Sequence, residues 1–110
     1  SDRILRDFVY IKDVVRANIL ACTAKSNGVY NVGTATPRSF QDIADILQQQ
    51  LGTHLATEYI PNPYTGYQMH TQADLSLSQS ELGYTPQWTL EAGIADYLPE
   101  IKSSFAQKVA

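Results

Sequence analysis

The sequence predicts an α/β domain of about three short strands and about four helices, in the order strand–helix–strand–helix–strand–loop–helix–helix, an alternation suited to crossover connections. Three observations predict it. Strand-forming residues cluster at 8–11, 29–34 and 57–60. Apolar residues recur at helical spacing between and after the first two clusters. The chain has 110 residues, 44% hydrophobic and 17% charged, which is the composition of one soluble domain, residues 1–110, with one modest core.

Phe8, Val9, Tyr10 and Ile11 open the pattern as a strand. Period two places Arg6, Phe8 and Tyr10 on one face and Asp7, Val9 and Ile11 on the other. Asp13 then fits the N-cap of a first helix, its carboxylate accepting from free backbone amides. Val14, Ala17, Ala21 and Ala24 form one stripe of that helix, with Val15, Ile19 and Cys22 beside it, and the alanines suit close approach to a sheet. "SNG" at 26–28 ends the helix in a turn. "VYNVGT" at 29–34 reads as a short buried strand that stops at Gly33.

"SFQD" at 39–42 is a Ser-x-x-Asp helix start. Phe40, Ile43, Ala44, Leu47 and Leu51 give the clearest helix, with Gly52 as its C-cap. "TEYI" at 57–60 is the third strand, and Pro61 and Pro63 impose an extended loop after it. Residues 67–74 are extended or irregular, 75–83 a short helix, and 84–88 a loop. Thr89 caps a final helix carrying Leu90, Ile94, Tyr97 and Leu98, and Pro99 should kink or end it. Phe40, Trp88 and Leu90 are expected in the core.

The net charge of −3 and a pI near 5.1 argue against a surface that coats nucleic acid. Cys22 is the lone cysteine, so no disulfide forms within the chain, and a reducing, cytoplasmic setting is the expectation. No apolar run reaches the ~18 residues of a membrane span. The chain opens on Ser1 and almost directly in a strand, so a piece of a longer polypeptide is expected.

Glycines stand at 28, 33, 52, 66, 83 and 93, with no pair spaced for a dinucleotide fingerprint or a phosphate loop. His54, His70 and Cys22 have no metal-ligand spacing. None of the seven tyrosines has a lysine four residues on. The sequence therefore assigns no catalytic, cofactor-binding or metal-binding residue. His70 and Asp74, four apart with no nucleophile beside them, read as surface residues.

Two residues remain as binding candidates. Arg6 stands where a strand feeds into a helix, and its planar guanidinium suits bidentate contact with a phosphate. The pattern alone equally allows a surface ion pair with Asp7 or Asp2. Tyr67 follows Gly66 in a loop bounded by prolines, where its hydroxyl reaches a ligand or its ring packs on the loop base. Gln68, Thr71 and Gln72 are uncharged hydrogen-bonders of the type that line sugar sites. Asp7 reads as structural.

"RDFVYIKDVV", "GVYNVGT", "SFQDIAD", "YIPNPYTGYQMHTQADLS" and "LGYTPQWTLEAGIADYL" together resemble the C-terminal region of the extended short-chain dehydrogenase/reductases, the Rossmann-type nucleotide-sugar epimerases and dehydratases. Within that family "YIPxPxxxYQxxTQAD" is similar to the ADP-glyceromanno-heptose epimerases of lipopolysaccharide-core synthesis. The resemblance implies a substrate-binding portion of an enzyme that inverts C6 of an ADP-linked heptose through transient oxidation and reduction. NADP and the catalytic Tyr/Lys would lie in an N-terminal domain outside these residues, and the portion alone would be inactive. It further implies that Arg6 contacts the nucleotide end of the ADP-sugar, that Tyr67 contacts substrate, and that the intact enzyme is a homo-oligomer. A related epimerase with another substrate, such as one resembling UDP-glucose 4-epimerase, stays open, as does a non-catalytic oligomerisation or binding domain. The loop departs from the family pattern: it is short, with Gly66 where a basic residue usually precedes the tyrosine, and Ala35 stands where glycine is common.

Overall fold

The helix that the sequence marks most clearly also organises the chain. In the computed structural model, which describes residues 3–25 and 27–109, α2 spans Phe40–Leu51 with Gly52 as its C-cap. Ser39 is its N-cap. The Ser39 hydroxyl accepts from the Asp42 amide at 3.0 Å, and the Asp42 carboxylate accepts from the Ser39 amide at 3.0 Å, a reciprocal capping box.

The same Ser39 ends β2 (Arg38–Ser39), which pairs antiparallel with β1 (Leu5–Arg6) through Leu5 opposite Ser39 and Arg6 opposite Arg38. The described residues thus carry two two-residue strands, not three longer ones. The reason is local. Past Ser39 the chain is helical, and the next rung on the other side would set Asp7 against Pro37, which has no amide to donate. The first strand therefore sits at Leu5–Arg6 rather than at 8–11.

The other two expected strands form no ladder. In the 29–34 stretch, side chains serve the carbonyls: the Ser78 hydroxyl donates to Asn31 at 2.5 Å and the Tyr84 hydroxyl to Gly33 at 2.7 Å. The 57–60 stretch is exposed and is approached by glutamines of α2. The Gln48 side-chain amide accepts from the Leu55 N–H at 2.6 Å and donates to the Leu55 carbonyl. Gln41 donates to Thr57 Oγ1 at 3.2 Å and accepts from the Tyr59 hydroxyl. A side-chain amide thus does the work of a neighbouring strand.

Helix α1 spans Ile11–Ala21, three residues ahead of the expected start, with Tyr10 as N-cap and no side-chain capping bond. Asp13 is not its cap. It lies in the first turn, fully buried, and its carboxylate accepts from the amides of Gln87 and Trp88, each at 3.1 Å, and from the Arg16 guanidinium at 3.4 Å. Ser26 of the expected turn lies outside the described residues. Ala17 packs, but on a helix rather than a sheet: with Leu75, Leu82 and Tyr84 it forms the buried core. Leu82 closes a π-helical turn, Ser78–Leu82, within the expected 75–83 helix. Tyr84 is 0% exposed, and its phenol is pushed above its ordinary pKa by burial and by Asp13.

Phe40 is 40% exposed, its ring edge-on to Phe8, and Trp88 and Leu90 are half-buried, so none of the three lies in that core. Helix α3 runs over Leu90–Val109, with the Thr89 hydroxyl accepting from the Ala92 amide at 3.0 Å. It continues through Pro99 instead of ending there. Ala95 and Pro99 are both exposed, so the carbonyl that loses its amide partner faces solvent. Tyr10 ties α1 to α3. Its ring lies against Gly93, where a Cβ would come within 3.1 Å, and its hydroxyl donates to Asp96 at 2.6 Å. That bond pushes the phenol pKa up to about 12.

Candidate functional site

Arg6 and Tyr67, more than sixty positions apart in the chain, meet. The Arg6 guanidinium carbon lies 4.8 Å from the centroid of the Tyr67 ring, the geometry of a cation–π contact. The backbone arranges it. The Leu5 amide donates to the Met69 carbonyl at 2.8 Å and the Thr71 amide to the Leu5 carbonyl at 3.1 Å, which lays the 69–71 segment parallel to β1. Gly66, at φ +71°, gives the left-handed turn that brings Tyr67 back over Arg6.

Among the described residues no carboxylate lies within ion-pair distance of Arg6; its Nη1 donates to the Leu5 carbonyl at 2.9 Å. The guanidinium keeps donors for an incoming anion, and the half-exposed phenol beside it, 41% accessible, can accept or donate a hydrogen bond. The expected partner Asp2 lies outside the described residues, and Asp7 is engaged elsewhere.

Asp7 anchors the joint behind Arg6. Its carboxylate accepts four hydrogen bonds, from the Thr34 amide and hydroxyl, both at 2.7 Å, and from the Ala35 and Ala73 amides, both at 2.9 Å. Burial pushes the carboxyl up, and those donors outweigh it, holding it below its ordinary 3.8. Gly33 is required by the close approach: a Cβ there would stand 2.7 Å from Asp7 Oδ2. Ala35 adopts φ +56°, the left-handed region, held by Asp7 on its amide and by Gln72 Nε2 on its carbonyl at 3.0 Å. Gln72 thus supports the loop and also lines the open cleft beside it, together with Ala35, Ala73 and Asp74. Asp74 accepts from the Ser76 hydroxyl at 2.6 Å, a local turn.

Sequence reasoning passed over Arg38. Its Nε donates to Asp42 at 3.2 Å and its Nη1 to Glu91 at 2.6 Å, joining β2 to the first turns of α2 and α3. The Arg38–Asp42 spacing of four was the available signal. The Glu91 carboxyl is held below its usual range, first by Arg38.

Residues 3–33 match the NAD dependent epimerase/dehydratase family. The Helicobacter pylori ADP-L-glycero-D-manno-heptose-6-epimerase is 48% identical and superposes with a TM-score of 0.82 over 92% of this chain and 31% of that one. The chain is similar in sequence and fold to part of a nucleotide-sugar epimerase. MoeE5, solved with UDP-glucuronic acid and NAD, is 30% identical with a TM-score of 0.83 over 94% of this chain and 35% of that one. The Arabidopsis thaliana UDP-glucuronate 4-epimerase 4 is 32% identical across 86% of this chain and 25% of its own length. The chain thus spans about a quarter to a third of the length of these relatives.

The NAD solved with MoeE5 meets no dinucleotide fingerprint in this sequence. The six glycines offer no fingerprint spacing, and the close backbone approaches at Gly33 and Gly93 are filled by Asp7, Ala73 and Tyr10. No step through that group is assigned to this chain. Among the described residues no group of three or more His, Cys, Asp or Glu could hold a metal ion, and no helix is long and apolar enough to cross a membrane.

Proposed function

We propose that this chain is the substrate-binding portion of a nucleotide-sugar epimerase and that Arg6 grips the diphosphate of the substrate. The observation that carries the reading is the Arg6–Tyr67 contact: a guanidinium without a carboxylate partner among the described residues, stacked on a phenol and fixed by backbone bonds on both sides of β1. A planar donor fork over an aromatic face suits two phosphate oxygens, and the phenol keeps it oriented at little entropic cost. Remote binding of this kind lets the enzyme place the reacting sugar carbon.

The sugar is read as an ADP-linked heptose inverted at C6, supported by the 48% identity to the Helicobacter pylori enzyme. A UDP-linked sugar is the second reading, supported by the likeness to MoeE5 and to the plant epimerase. In both, a nicotinamide dinucleotide, NADP or NAD, is held by polypeptide beyond these residues. The complete enzyme is read as a homo-oligomer, which the exposed stripe Ile11, Val15 and Ile19 on α1 favours.

Titrating the complete protein with ADP-heptose and with UDP-glucuronate separates the two substrate readings. Arg6→Ala should weaken binding of the preferred nucleotide sugar by about 2–5 kcal/mol, the cost of truncating one partner of a buried charge pair. Unchanged affinity would remove Arg6 from the site.

A further inference from the structure

The β1–β2 register sets two arginines face to face. Arg6 lies directly opposite Arg38, and directly opposed residues of an antiparallel pair project to one side, where like charges repel. The chain treats the two cations differently. Arg38 reaches Asp42 at 3.2 Å and Glu91 at 2.6 Å, with 29% of its own side chain exposed against 41% and 50% for the two acids. Arg6 reaches neither and lies on Tyr67. The Arg38 cluster holds one positive and two negative charges, so its net charge attracts Arg6, and it is the occupation of both acids by Arg38 that keeps them from the opposed guanidinium.

We propose that Arg38 is a positioning residue for substrate binding: by occupying Asp42 and Glu91 it keeps Arg6 stacked on Tyr67 and open to the phosphates. In its absence two acceptors become available across a two-stranded ladder, within the reach of a guanidinium on the opposed residue. Arg6 then turns to them, and the anion loses its partner although no residue that touches it has changed. The inference rests on the reading of Arg6 as the phosphate ligand.

The test is calorimetric binding of ADP to the complete protein, with a thermal melt of each variant. Arg6→Ala tests the underlying reading, and retention of parental affinity there would sink that reading and this inference together. Arg38→Gln should lower affinity about tenfold, and R38Q/D42N/E91Q, which keeps the hydrogen-bond acceptors but removes both charges, should return it to within about threefold of the parent. Arg38→Met retains the apolar stem and replaces Arg38→Gln if the latter melts early. Parental affinity in Arg38→Gln or Arg38→Met overturns the proposal. So does a loss that the two neutralising changes fail to rescue, which marks Arg38 as structural only.

Discussion

Two regions of this chain are held by different means. In the body, loops that are distant in sequence converge on two carboxylates: Asp7 collects residues 34, 35 and 73, and Asp13 collects 87 and 88. In the arm, residues 51–70 are exposed throughout and are held by glutamine side chains of α2 and by the backbone bond from Leu5 to Met69. The body couples stability to buried charge. The arm carries Tyr67 with little stability at stake. Substitutions should therefore separate the two, with the body changing the melt and the arm changing the ligand.

The largest effect is expected at Asp13. Asp13→Ala strips a fully buried carboxylate from two amides and from Arg16, and should lower the unfolding free energy by about 3–5 kcal/mol, read as a shifted urea midpoint. A loss below ~1 kcal/mol would break the comparison, because the body would then not depend on its anions. Asp7→Asn comes next, at about 1.5–3 kcal/mol.

Asp7 also gives the body an acid limit. Its folded pKa lies below 3.8, so its contribution is complete above pH 3.8 and falls away as the pH drops further through the lowered folded value. The stability of the parent should decline across that window, and Asp7→Asn should flatten the decline. An equally steep profile in the variant would assign the acid limit to other carboxylates.

Tyr67→Leu probes the arm. Its melt should stay within about 0.5 kcal/mol of the parent, while nucleotide-sugar affinity drops by about 0.5–1 kcal/mol for the lost cation–π contact. A large drop in stability with unaltered affinity would reverse the assignment of the two regions. The smallest effect belongs to Ala35→Gly. Relief of the left-handed backbone is partly offset by the freer unfolded chain, for a net gain of about 0.5 kcal/mol in a denaturant titration.

What the sequence makes legible follows the range of the interactions. Helix α2 is readable to the residue because its signals are local: the capping box, the apolar period and the terminal glycine all lie within 39–52. Thr89 is readable for the same reason. Asp13 misleads because its side chain, well placed for a cap, is captured by amides seventy-four and seventy-five positions away. The strands mislead because their ladder depends on where Pro37 falls opposite Asp7, a matter of register rather than propensity. Arg6 and Tyr67 are each singled out by residue type and by family resemblance, but their contact is not, since it hangs on the pairing of Leu5 with the 69–71 segment. Arg38 escapes notice because its second partner, Glu91, stands fifty-three positions on.

The short first strand has a further consequence for how molecules of this chain meet in solution. Leu5 is paired on one flank to Ser39 and on the other to Met69 and Thr71. With both flanks engaged and a proline at the next rung, β1 presents no row of open amides on which a foreign strand could zip. Edge-to-edge pairing between copies therefore has no foothold at Leu5–Arg6.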